Sequence, residues 1–360
     1  MTRHQHYLTQ AVSAWVVAFL LAGCAPENLA VDPTGANCAS GADTTKVPLN
    51  DLGNGCYLQF RGGLYPNGAN ALTGAHLTAG VAAAALVAPL DVNGQPNAGG
   101  KYVLLSIGMS NTTQEFCDDS AQPRTCQAPS FMTQAAADAA VNRTTLVLVN
   151  GAYGGRAASS WVSASSAEYD RIRDTWLTPL GLSEKQVQIA WVKVANPGPQ
   201  AALPAAAADA YALETSIGQI ARALKSRYPN LRQVFLTSRV YAGYATSTLN
   251  PEPYAYESGF SVKWAIESQI SQAAGDTGDP RAGNVRYDTG VAAWMAWGPY
   301  PWAAGTRARS DGLIWVPADF GADGTHPAFS GRQKVGAMLL TFFKTSPVTS
   351  CWFLAGQVCR

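Results

Sequence analysis

Short apolar runs alternate along this chain with longer helical patterns, and that alternation constrains the fold more than any other feature. Tyr102 to Ile107, Leu146 to Val149, the run from Val187 to Asn196, and Val234 to Thr237 are built largely from Val, Leu, Ile and other apolar residues. Continuous apolarity at this length describes strands buried on both faces. The intervening stretches Ala167 to Leu177, Ala205 to Tyr228 and Tyr254 to Ala274 read as helices. Strands joined through helices pair in parallel, so a mostly parallel α/β sheet is expected. A last helix follows His326: Ser330 and Gln333 form a capping-box pattern, Val335, Met338, Leu339, Phe342 and Phe343 make one apolar face, and Pro347 stops it.

The chain has the apolar content to bury such a sheet. Its 360 residues are 47% hydrophobic and 14% charged, which favours one large domain over two. Formal net charge is +1 and the basic residues are scattered, so the clustered basic face of a nucleic-acid binder is absent.

Chemistry concentrates at two places. Of four histidines, only His76 and His326 lie beyond the N-terminal leader. His326 stands in Asp323-Gly324-Thr325-His326-Pro327, where a carboxylate three residues earlier on a tight turn can hold the ring's Nδ1 proton and leave Nε2 facing a nucleophile. The candidate nucleophile is Ser110. Gly108 ends the apolar run before it and permits a sharp turn, placing Ser110 at the carboxyl end of a strand, the edge where open α/β sheets bind ligands.

These residues resemble the SGNH or GDSL-like hydrolases, whose nucleophilic serine follows an early strand and whose Asp-x-x-His pair lies near the C-terminus. The carbohydrate O-acetylesterase branch is the nearest: its serine motif GQSN reads GMSN here, Gly108 to Asn111. Gly154-Gly155 with Trp161 six residues on resembles that branch's second block. Asn196 occupies the third, although Val194 and Pro197 replace the usual glycine and aspartate, and Met109 replaces a polar residue before the serine. The resemblance spans roughly Tyr102 to Lys344. It implies a three-layer α/β/α sandwich, flavodoxin-like, with Ser110, Asp323 and His326 catalytic. It also implies an oxyanion site made by the backbone N–H groups of Ser110 and Gly155 with the Asn196 side chain, Asn111 being the next choice of donor. Gly154, Asn111 and Trp161 are expected to contact substrate.

About 60 residues precede the nucleophile strand. Gly62 to Asn70 is a turn-rich loop that serves either as a wall of the substrate pocket, through Tyr65, or as a surface turn packed by that ring. No carboxylate neighbours His76 in sequence, which points to a packed histidine and not a base. Trp294 to Trp302 carries aromatics among Gly and Pro; these read as a loop whose rings either line a cleft or, as we favour, cover the core.

The N-terminus is a targeting segment. Arg3 precedes an apolar stretch from Ala11 to Leu21, and Leu21-Ala22-Gly23-Cys24 resembles a bacterial lipobox, in which cleavage leaves Cys24 as a lipidated first residue. By the same resemblance, Ala25 after it favours the outer membrane over inner-membrane retention in a Gram-negative cell. Residues 24–42 are expected to form a tether, and 43–360 one hydrolase domain with an N-terminal extension over 43–100. The other cysteines, Cys38, Cys56, Cys117, Cys126, Cys351 and Cys359, fall into three local couples, and nearest-neighbour disulfides in an oxidising compartment are the simplest expectation. Their spacing lacks CxxC units and histidines are scarce, which argues against zinc.

The expectation is thus a lipid-anchored, extracytoplasmic serine esterase that removes acyl groups, chiefly O-acetyl, from carbohydrate without metal or organic cofactor, its partners being the ester substrate and, through Cys24, a membrane. A lipase-like or general carboxylesterase is the alternative enzyme. A noncatalytic glycan-binding or envelope protein on the same fold is the alternative of another class.

Overall fold

A computed structural model describes residues 1–2, 38, 44–118 and 125–359. The lipobox, Cys24 and all of the tether except Cys38 lie outside them. Among the described residues the chain opens with a short helix α1 (Leu49–Leu52), a two-stranded antiparallel hairpin β1 (Cys56–Tyr57) and β2 (Phe60–Arg61), and helix α2 (Gly74–Ala85). The core then alternates β3 (Tyr102–Gly108), α3 (Ser110–Phe116), α4 (Phe131–Ala137), β4 (Leu146–Asn150), α5 (Ala167–Ile172), β5 (Val187–Lys193), α6 (Asp209–Arg227), β6 (Gln233–Leu236), α7 (Tyr254–Ala273) and β7 (Trp294–Trp297). Helices α8 (Phe329–Thr345) and α9 (Ser350–Phe353) close the chain. The α5 pattern runs on through a π turn, Arg173–Leu177, so the expected helix to Leu177 is present with a change of pitch.

The five long-range strands form one parallel sheet in the order β4-β3-β5-β6-β7. The expected three-layer α/β/α sandwich is the architecture observed. Side chains alternate across β3: Val103, Leu105 and Ile107 meet the layer that contains α6 and α7, whereas Tyr102 and Leu104 meet the layer that contains α4 and α8. Burial on both faces is why these strands read as unbroken apolar runs. The extension belongs to the same core, since Tyr57 stacks on Phe260 and Phe60 packs against both Phe260 and Trp264.

The strand order reverses once. From β3 the chain steps outward to β4, then returns past β3 to lay down β5, β6 and β7. Connections therefore leave β3 and β5 toward opposite sides, which opens a crevice beyond their carboxyl ends. Gly108 and Lys193 are paired at that point, and Ser110 follows immediately.

Three expectations are corrected here. Trp294–Trp297 is not a loop but the buried edge strand β7. Its rings face alternate layers, Trp294 one and Trp297 the other, while Tyr300 and Trp302 are also buried, so this run offers no open platform. The Ser330 and Gln333 capping box does not form, because α8 starts at Phe329 and the Ser330 hydroxyl donates to Ala318 O (3.3 Å). The helix expected from Ala205 starts only at Asp209, because the chain turns over 205–208 before entering α6. Disulfides join Cys38 to Cys56, Cys117 to Cys126 and Cys351 to Cys359.

Candidate active site

The turn that carries the candidate nucleophile is wedged into the sheet edge. A side-chain carbon at Gly108 would stand 2.1 Å from Lys193 O and 2.4 Å from Thr112 Oγ1, so only glycine allows β3 to pass so close to the end of β5. Thr112 Oγ1 donates to Lys193 O (2.6 Å) and accepts from Met109 N (3.3 Å), which pins the first turn of α3 to β5. A second tie runs sideways: Ser106 Oγ donates to Asn150 Oδ1 (2.7 Å), and Asn150 Nδ2 donates to Thr113 Oγ1 (2.5 Å). Ser110 is thereby held at the start of α3, partly open to solvent.

Below it lies a pair that sequence reading missed. Lys193 and Glu115 are fully buried, and Lys193 Nζ donates to both carboxylate oxygens at 2.6 Å. Burial pushes the Glu115 carboxyl up and the Lys193 ammonium down, and each is opposed by its partner's charge. A lysine at the end of a largely apolar strand was the available signal. Its partner, on α3, could not be read from spacing.

The turn after β7 and its long connection carries the candidate base. Asp323 Oδ1 accepts from the backbone N–H groups of Thr325 and His326, both at 3.0 Å, and Asp323 Oδ2 meets His326 Nδ1 at 2.5 Å. Burial pushes the Asp323 carboxyl up, but the hydrogen bonds from His326 and Thr325 outweigh it and hold the group at about 2. It is a carboxylate throughout the neutral range. Gly324 is left-handed (φ 63°), and any side-chain carbon there would collide with Tyr244 O at 1.9 Å, so the turn tolerates only glycine. Thr246 N donates to Asp323 O (3.0 Å) and Gly321 N to His326 O (2.8 Å), fixing the loop from both sides.

The two regions meet at one hydrogen bond. His326 Nε2 lies 2.8 Å from Ser110 Oγ, across 216 residues of sequence. Ser110, His326 and Asp323 thus form a continuous chain of contacts at the crevice. A side-chain carbon at Gly154 would sit 3.9 Å from Ser110 Cβ, while one at Gly155 would meet nothing within 4 Å, so the Gly-Gly segment borders the serine and leaves it open. Tyr153 N donates to Gly108 O (3.1 Å), which fastens that segment to the nucleophile turn.

Other sequence-selected residues are placed elsewhere. Asn111 is buried, and its Nδ2 donates to Thr325 O (2.9 Å); it ties α3 to the His326 turn and does not face a substrate. Trp161 is fully buried with its Nε1 donating to Arg156 O (3.2 Å), so its ring cannot meet a sugar. Tyr65 is buried in a cleft of about 330 Å³ shared with His76, Ile270 and Tyr287, which contains none of Ser110, Asp323 and His326. His76 is a packed histidine: burial lowers it to about 4, its Nε2 bonds Met295 O (2.8 Å), and its ring stacks on Trp294. Asn196 lies past the end of β5, where its Nδ2 donates one proton to Asp209 Oδ1 (3.1 Å) and its carbonyl accepts from Asn250 Nδ2 (2.5 Å). Among the described residues, no group of three or more His, Cys, Asp or Glu side chains is arranged to hold a metal ion.

No protein-family model matches the chain, and neither does any curated protein. Solved structures do. An extracellular lipase from Streptomyces rimosus is 14% identical, covers 67% of this chain and 99% of its own, and superposes with a TM-score of 0.32. An acetyl xylan esterase is 14% identical over 66% of this chain and 98% of its own (TM-score 0.35), and a family two carbohydrate esterase from Cellvibrio japonicus is 13% identical over 69% and 62% (TM-score 0.35). At TM-scores this low the functional reading rests on the geometry around Ser110.

Proposed function

We propose that this protein is a serine esterase of the SGNH type that removes acyl groups, chiefly O-acetyl, from carbohydrate. The observation that carries the reading is the unbroken Ser110-His326-Asp323 contact chain at a sheet crevice, with Ser110 partly open to solvent and bordered by glycine. In the proposed reaction His326 Nε2 takes the Ser110 proton as Oγ attacks the ester carbonyl. The C–O bond to the sugar then breaks, and the imidazolium returns that proton to the departing oxygen. Water repeats the cycle: His326 takes its proton, the hydroxyl attacks the acyl-serine, and Ser110 leaves with the proton. Asp323, held as carboxylate, keeps Nδ1 protonated and stabilises the imidazolium.

Backbone N–H groups of Ser110 and Gly155, with the remaining amide proton of Asn196, receive the oxyanion in this reading, each worth about 3 kcal/mol at the transition state. Asn196→Ala is then expected to lower kcat about 100-fold with little change in KM. The decisive experiment is hydrolysis of 4-nitrophenyl acetate by wild type and Ser110→Ala. Turnover that survives the substitution excludes the serine mechanism; failure of wild type to turn over favours the noncatalytic binder. A rate that rises with acyl chain length would make the protein a lipase.

Residues 43–360 act in this reading as one catalytic domain. Two disulfides within it and a third that ties Cys38 of the tether to Cys56 support an oxidising, extracytoplasmic compartment. Lipid attachment at Cys24, with 24–42 as tether, completes the proposal, and Cys24→Ser in the native host should leave the precursor unlipidated.

A further inference from the structure

The aromatic residue in the open at this site is Tyr153, immediately before Gly154, with 50% of its surface exposed. It is not a loose surface ring. Arg171 lies 4.7 Å and Arg156 5.6 Å from its centroid, measured from each guanidinium carbon. Glu168 binds both cations, Oε1 at 2.5 Å from Arg156 Nε and Oε2 at 2.7 Å from Arg171 Nε. Arg171 also donates to Gly151 O (2.5 Å), so the clamp is anchored at both ends of the segment that carries the ring.

One carboxylate grips both guanidiniums, which holds the two cations together against the ring. Half of the Tyr153 surface stays exposed beside them. Its backbone is fixed as well, because Tyr153 N donates to Gly108 O (3.1 Å) and Gly154 borders Ser110. The result is a flat aromatic surface at the rim, held before any ligand arrives, so little side-chain freedom is lost on binding.

We propose that Tyr153 is a specificity-determining residue, a stacking platform that receives a pyranose ring whose acyl group enters at Ser110. The inference rests on the esterase reading and adds to it the residue that selects sugar esters. An acyl chain needs a recessed apolar groove. A shallow, polar-edged aromatic face suits instead the C–H face of a sugar, whose hydroxyls remain available to the flanking guanidiniums and to water.

The test compares two acetates, glucose pentaacetate, which presents a pyranose, and vinyl acetate, which has no ring. Tyr153→Ala should lower the ratio of kcat/KM for the sugar ester to that for vinyl acetate at least tenfold, chiefly through KM. Tyr153→Phe and Tyr153→Trp should restore the ratio. An unchanged ratio, or an equal loss on both esters, overturns the platform while leaving the esterase intact. Binding of glucose pentaacetate to Ser110→Ala, followed by calorimetry, separates the two proposals in the other direction. Affinity that is present in Ser110→Ala and lost in Ser110→Ala/Tyr153→Ala supports the platform even where wild type fails to hydrolyse any ester; affinity equal in both variants overturns it.

Discussion

The two sides of the crevice are held by different physics. The Ser110 side stands on buried structure: a glycine pressed against β5, a threonine bridging to Lys193 O, and beneath them a fully buried Lys193-Glu115 pair. The Asp323-His326 side is a partly exposed surface turn, organised by short-range hydrogen bonds and by a glycine that only fits left-handed. Replacing a core-anchored group disturbs folding, whereas replacing a turn group disturbs geometry and charge at the reaction centre. The contrast teaches that stability and chemistry should separate by side, and substitutions can break or sharpen it.

The largest expected effect is on the turn side. Asp323→Asn keeps the shape but allows the wrong imidazole tautomer, and kcat should fall about 10⁴-fold with the urea midpoint nearly unchanged. A comparable loss of stability would erase the distinction between the two sides. Next comes Lys193→Met, which leaves Glu115 buried without its partner and should cost about 3–5 kcal/mol in urea unfolding. Lys193→Met/Glu115→Met should recover most of that loss, because two apolar groups avoid the desolvation that an orphaned charge suffers. If the single substitution is neutral, the nucleophile side does not depend on the pair.

Asn111 joins the sides. Asn111→Ala strands Thr325 O in a buried position and should cost about 1–3 kcal/mol while also slowing turnover, a mixed phenotype that neither side alone produces. The smallest effect lies away from both. Burial lifts Glu257 from 4.5 to about 7, opposed by hydrogen bonds from Leu203 N–H and Tyr57 O–H. A carboxyl raised by folding keeps its proton better in the native state, so its contribution is full below about 4.5 and lost as pH rises through about 7. Tm should decline across that window, and Glu257→Gln should flatten the decline in part. Burial raises Glu214 to about 9, so that group continues the decline to higher pH. An identical slope in the variant would show that Glu257 does not titrate there.

Local pattern served some residues well and misled at others for identifiable reasons. β3 to β6 were legible because a parallel strand covered on both faces has no polar alternation to confuse it with a loop. β7 was not, since its tryptophans sit beside Gly298, Pro299 and Pro301, and local punctuation outweighed a four-residue strand. Ser110, Asp323 and His326 were legible as candidates because each lies in a short motif with a backbone requirement of its own, and the structure brings the three into contact. Trp161 and Tyr153 lie eight residues apart, and nothing in their spacing says which ring is buried. Packing against Tyr169 buries Trp161, while the Arg156-Glu168-Arg171 clamp holds Tyr153 in the open.

By itself, then, the sequence determined most of the element types, β7 excepted, the parallel class of the sheet and the two motifs that bear the proposed nucleophile and base, because each of these follows from local periodicity or from a turn within a few residues. The tertiary structure alone decided the strand order, the 2.8 Å approach of His326 to Ser110, the Glu115-Lys193 pair and which aromatic faces solvent. Those outcomes join residues from 8 to 216 positions apart through burial and close packing, energies that exist only once the layers have come together.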